Sequence, residues 1–206
     1  MLFAMHLQCT LVLLRIMKTL ITCFILLFSS MVLAEDISDF EIGGMSLGDS
    51  LLDYLSKEEI LKQFEIGKDE YNWTDQKFAD VYIYKGKGDY EYFSTSVKKK
   101  DKNFIISSIR GMINYNDINK CLKKQKEVSK ELSLIFKKEK KTENIFSHSG
   151  DNTKESKVYD ISFIINAGEV RVICYDFAKH MSDKSGLDVE ISSEEYMNWL
   201  KKFHRN

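Results

Sequence analysis

The sequence predicts an α+β fold, an antiparallel sheet of about six strands with helices packed on one face. Three observations carry this. Two groups of three strand-like runs are dense in β-branched and aromatic residues. A long stretch between them changes to a period of three and four. Serine-capped helical stretches precede the first group and follow the second.

Phe40-Glu41-Ile42 reads as an extended entry, and Gly43-Gly44 as a turn. In the segment that follows, Ser46 with Asp49 and Ser56 with Glu59 have the serine-x-x-acid spacing of helix starts. There a hydroxyl accepts an unpaired backbone N–H and a carboxylate sits near the positive end of the helix. Two short helices are expected, about 47–55 and 57–64, with Leu47, Leu51, Leu52, Leu55 and Ile60 inward. Gly43, Gly44 and Gly48 lack the Gly-Lys-Ser/Thr ending whose lysine would meet phosphates, so capping accounts for this segment better than a phosphate loop.

Strand-like runs at 79–84, 90–98 and 104–113 are separated by two clusters of lysine, glycine, aspartate and asparagine, which reads as a meander. Then Ile118, Cys121, Leu122, Gln125, Val128, Leu132, Ile135 and Phe136 fall mostly at steps of three and four. This is the clearest amphipathic helix, with Asn116 or Asp117 as its cap and lysines on the outer side. Residues 142–157 are polar and broken by Gly150, and read as a mobile loop.

Opposed strands at 158–165 and 170–177 follow. Pairing Ile165 with Val170 puts Ile161, Phe163, Ile165, Val170, Val172 and Cys174 on one face, and Asp160, Ser162 and Arg171 mainly on the other. A last strand near 187–191 leads to a helix capped by Ser192 with Glu195, burying Tyr196, Trp199, Leu200 and Phe203. Helix and three strands thus occur twice, which suggests a duplicated unit, although no residue-level repeat accompanies it.

The N-terminus carries the three-part order of a secretory leader. A basic start at Met17-Lys18 is followed by an apolar core from Leu20 to Phe28 and a small-residue exit at Val32-Leu33-Ala34. Cleavage is expected between Ala34 and Glu35, with residues 1–34 as signal peptide and Met17 as the true start. Residues 35–206 would then form one α+β domain. Arg15 and Lys18 divide the apolar region into runs shorter than the about 18 residues a spanning helix needs, so a leader is expected here rather than a membrane anchor, and the mature chain is expected to carry no membrane span.

Without the leader the chain holds 28 basic and 31 acidic side chains, a balance that argues against nucleic acid as partner. The charge is uneven, at −9 over residues 35–93, +9 over 94–141 and −3 over 142–206. The basic middle suits either a surface for an anionic envelope component or, more simply, a solvated helix face set against the acidic first third.

Cys121 and Cys174 are the two cysteines left after cleavage, and both fall on apolar faces, one of a helix and one of a strand. In an oxidising compartment such a pair is expected as one disulfide. His148 with Asp151 in a polar loop falls short of a metal site, and neither metal nor cofactor is expected. No serine elbow or His-Glu-x-x-His occurs. Asp176, Lys179 and His180, at the end of the strand carrying Cys174, are the candidate site residues.

The leader MKTLITCFILLFSSMVLA, the segment FEIGGMSLGDSLLDYLSKEEI, the lysine-rich helix and CYDFAKH together resemble small exported proteins of AT-rich marine alphaproteobacteria. The resemblance implies export and origin, and brings no activity with it. The function expected is therefore that of a periplasmic or secreted, non-enzymatic binding or envelope-accessory module, its partner an envelope protein or anionic envelope surface. The alternative is a small cell-envelope hydrolase using Asp176, Lys179 and His180.

Overall fold

A computed structural model describes residues 37, 40–66, 77–84 and 90–203. The leader, the Ala34–Glu35 junction and the start at Met17 lie outside these residues. Seven strands form one antiparallel sheet: β1 (Phe78–Ile83), β2 (Tyr92–Lys98), β3 (Ile106–Asn114), β4 (Lys140–Ser147), β5 (Lys157–Ile165), β6 (Gly168–Asp176) and β7 (Gly186–Ser193). Their order is β1-β2-β3-β7-β6-β5-β4. The first meander therefore runs outward-in to β3. After it, α2 (Ile118–Ile135) carries the chain to the far edge, and the second meander returns until β7 pairs with β3.

The seventh strand corrects the reading of 142–157. Its first part belongs to β4, which pairs with β5 from Lys140↔Ile164 to Ser147↔Lys157, and only the remainder is loop. β4 was hidden because it is an edge strand, mostly solvent-exposed on both sides, so no apolar alternation marks it. The second meander accordingly has four strands where the duplicated unit called for three.

Alternation divides the sheet into two faces of different chemistry. Val81, Val97, Ile109, Phe163, Val170, Val172, Val189 and Ile191 point to one side and form the main core. The long helix α2 lies against β6 and β7 there. Its cap is Asp117, which accepts from Asn119 N at 2.9 Å. Gln125, also inward, donates to the Tyr159 and Val172 carbonyls at 2.7 and 2.8 Å, so a polar residue is buried with its donors satisfied. Cys121 and Cys174 form a disulfide, with Cα atoms 6.0 Å apart, that fixes helix to sheet.

Helix α1 (Lys57–Ile66) starts at a full capping box, Ser56 N to Glu59 Oε2 at 2.9 Å and Glu59 N to Ser56 Oγ at 3.3 Å. Its Gln63 holds both the N–H and the carbonyl of Tyr82, blunting the β1 edge of the sheet. The helix expected over 47–55 is a single 3-10 turn at Leu51–Asp53. Ser46 does not cap it: Asp49 accepts from the Ser46 N–H, and Ser50 accepts from Leu52 N instead. With Gly43, Gly44 and Gly48 all at positive φ, the chain in front turns too sharply for a longer helix.

The hairpin between β5 and β6 is tighter than expected. Ile165 pairs with Gly168 and Phe163 with Val170, a shift of two residues that leaves every side chain on the face assigned from sequence. A Cβ at Gly168 would collide with the Ser192 carbonyl, which is why glycine begins β6. The C-terminal helix α3 (Glu194–Phe203) is capped by Ser193, whose Oγ accepts from Tyr196 N, and not by Ser192. Ser192 belongs to β7, where its hydroxyl meets Ser108. Instead of joining the other helices, α3 folds onto the opposite face, packing Tyr196 and Trp199 on Phe78.

Candidate functional site

Asp176, Lys179 and His180 do not come together as a cluster. Asp176 ends β6 opposite Lys157, and Lys179 is exposed in the following loop. His180 turns to the β4–β5 loop, with Nε2 3.1 Å from Asp151 Oδ1 and Nδ1 3.9 Å from Glu155. Asp151 is buried and also accepts from Thr153 N, Thr153 Oγ1 and Ser156 N. Those hydrogen bonds, the Thr153 hydroxyl first, hold its carboxyl far below the usual carboxylate range. With Ala178 N donating to Ser156 Oγ, the arrangement clasps two loops together. His148 accepts from Gly150 N and sets its ring edge-on to Phe177 at 5.0 Å. Among the described residues, no three His, Cys, Asp or Glu side chains are grouped to hold a metal ion.

The chemistry concentrates on the face opposite the core. The strand registers lay its residues out in rows. One row runs Tyr82, Ser94, Arg110, Glu190, Arg171, Ser162 and Thr142 across all seven strands. The next runs Tyr92, Met112, Asp188, Ile173, Asp160 and Asn144. In the row beyond, Asn114 and Tyr175 flank Gly186, which brings no side chain and leaves a notch. The helix α3 sits at the other end of this face, where Tyr196 lies near Ser96 and Asp80.

Arg171 is tightly placed, with Nε 3.0 Å from Asp160 and Nη1 3.7 Å from Glu190. Ser162 donates to Asp160 and Ser192 to Glu190, so these carboxylates are compensated. Asp188 differs. Its side chain is fully buried, and neither carboxylate oxygen has a hydrogen-bond partner among the described residues. Its one ion pair is to Arg110 Nε at 3.6 Å, beyond hydrogen-bond reach. Burial pushes the carboxyl up to about 7, against the opposing pull of Arg110. For Arg110 burial alone would lower the pKa, but Asp188 and Glu190 hold the guanidinium above its ordinary value and therefore charged.

A second unpartnered oxygen lies close in the ladder. Asn114 Oδ1 is buried without a hydrogen bond, and Asn114 is two residues beyond Met112, which faces Asp188. Aromatic groups border the patch on both sides. Tyr82, Tyr84 and Tyr92 have ring centroids 6.1–6.3 Å apart. Tyr175 stacks on Phe177 at 5.4 Å.

Sequence reasoning placed Asp160, Ser162 and Arg171 on this face but missed Arg110, Asn114, Asp188 and Glu190 as its centre. The alternation of Asp188, Glu190 and Ser192 with Leu187, Val189 and Ile191 was a usable signal. The pairing of β7 with β3, which brings Arg110 to them across a long sequence gap, was not. Compared with protein-family models, curated proteins and solved structures, the chain matches none.

Proposed function

We propose that this chain is an exported, non-enzymatic binding module of the cell envelope, and that it binds through the polar face of its sheet. The observation that carries the reading is Asp188, a buried carboxyl left without hydrogen bonds beside an arginine about one-third exposed. A face serving stability alone would satisfy or replace such a group, because a buried polar group left without hydrogen bonds costs about 1–3 kcal/mol. Export is supported by the leader pattern and by the Cys121–Cys174 disulfide, which fits an oxidising compartment. Among the described residues no helix is long and apolar enough to cross a membrane.

The alternative, a small cell-envelope hydrolase using Asp176, Lys179 and His180, is supported less well, because those three side chains do not gather into one cluster. His180 is instead engaged by Asp151 and Glu155, while Asp176 lies opposite Lys157 at the end of β6 and Lys179 is exposed.

The test has two parts. Mass measurement of the periplasmic protein should find a chain beginning at Glu35. Sedimentation with washed envelope should retain the wild type and release Arg110→Gln, while His180→Ala stays bound. Retention of Arg110→Gln, or its release together with His180→Ala, would count against the polar face as the binding surface.

A further inference from the structure

The polar face can be read further for the class of ligand it takes, a step that rests on the binding reading above. Its unspent hydrogen-bonding capacity is specific. Asp188 Oδ1, Asp188 Oδ2 and Asn114 Oδ1 are buried oxygens without hydrogen-bond partners among the described residues. Arg110, about one-third exposed, contributes the complementary donors. Its Nε approaches Asp188 only at 3.6 Å, and its two terminal nitrogens make no hydrogen bond among the described residues.

A ligand fitting this set must both donate and accept within a short span. Charge narrows the class. The patch sets Arg110 and Arg171 against Asp160, Asp188 and Glu190, so it offers no excess of positive charge to an anion. Nor is it an open carboxylate site for a cation, because Arg171 already occupies Asp160 and lies near Glu190. The surroundings narrow it again. Tyr92, half-buried, lies across Met112 from Asp188, and Tyr84, three-quarters exposed, extends the aromatic surface with its ring centroid 6.1 Å from that of Tyr92.

Hydroxyls that each donate and accept, on a ring with an apolar C–H face and no net charge, are the chemistry of a neutral saccharide. We propose that the Arg110–Asp188–Asn114 patch is a binding site for an uncharged glycan. Arg110 donates to ring hydroxyls, the buried carboxyl and amide oxygens receive hydroxyl donors once the arginine shifts aside, and the tyrosines stack on the sugar's C–H face. Binding energy is thereby drawn from groups left unsatisfied in the free protein, so a hydroxyl-bearing ligand is favoured over an analogue lacking the hydroxyls.

The test uses the protein purified from the periplasm with its disulfide intact. Calorimetric titration with neutral tetrasaccharides built on glucose, xylose and N-acetylglucosamine should give saturable binding to at least one of them. That binding should weaken at least tenfold in Arg110→Gln and in Tyr84→Ala, a change at an exposed ring that leaves the core untouched. A conservative Arg110→Lys should recover part of the loss. Binding only to oligogalacturonate or only to free amino acids would overturn the neutral-glycan assignment, as would binding unchanged in both variants. Failure of every glycan to bind, while envelope sedimentation still depends on Arg110, would overturn this inference and leave the binding module standing. Loss of that dependence would remove the module reading as well.

Discussion

The two faces of the sheet are made from the same strands and differ in what their residues leave undone. On the face carrying α2, apolar side chains interlock, a disulfide joins helix to strand, and even the buried Gln125 has both donors used. On the other, a carboxyl and an amide oxygen are buried without hydrogen-bond partners among the described residues. The contrast teaches that alternation in a strand sorts residues by face but leaves the second face free to be something other than a solvated surface.

Damage to the first face should be the more costly. Phe163, nearly fully buried, packs on Phe136 at 5.9 Å, and Phe163→Ala should lower unfolding free energy by about 3–5 kcal/mol in a denaturant titration. Close behind is the staple, which bridges residues 53 apart in sequence. Replacing both cysteines with alanine should cost about 3–4 kcal/mol by loop-closure entropy while leaving the far-UV spectrum intact. Thiol titration of the denatured, unreduced protein should correspondingly find none free; two free thiols would show that the bond does not form.

Changes on the second face should read differently. A carbon-detected NMR titration should place the Asp188 carboxyl midpoint near 7, and a midpoint near 4 would mean that the group is hydrated or better paired than its burial implies. At the rim the effect on stability should vanish. Tyr84→Ala should change it by no more than about 0.5 kcal/mol, as surface substitutions generally do, although ligand binding is expected to suffer.

The sequence disclosed the first face more fully than the second. The phase of α2 and the alternation of β6 turned Cys121 and Cys174 toward one space, and a hairpin register wrong by two residues still kept Cys174 on the right face, since the strand period is two. The capping box at Ser56 and Glu59 was legible because it is wholly local. β4 was not, because an exposed edge strand has no buried side to give it a pattern. Asp188 was unreadable as a special group for another reason. Its burial depends on β7 lying between β3 and β6, a long-range pairing that no local residue pattern states.

The claim that the polar face carries a group held against stability is tested most directly by comparing the wild type with Asp188→Asn in denaturant unfolding at pH 5 and pH 8. The folded chain keeps the Asp188 proton up to about pH 7, whereas the unfolded chain releases it near its ordinary value of 3.8. Stability from this group is thus present at low pH and lost as pH rises toward 7. The wild type should be weaker at pH 8 than at pH 5 by about 2–3 kcal/mol relative to the variant, which cannot titrate there, and the variant should be the more stable protein at pH 8. A variant less stable than the wild type at pH 8, with parallel pH dependence, would show that ionised Asp188 supports the fold and would contradict the account.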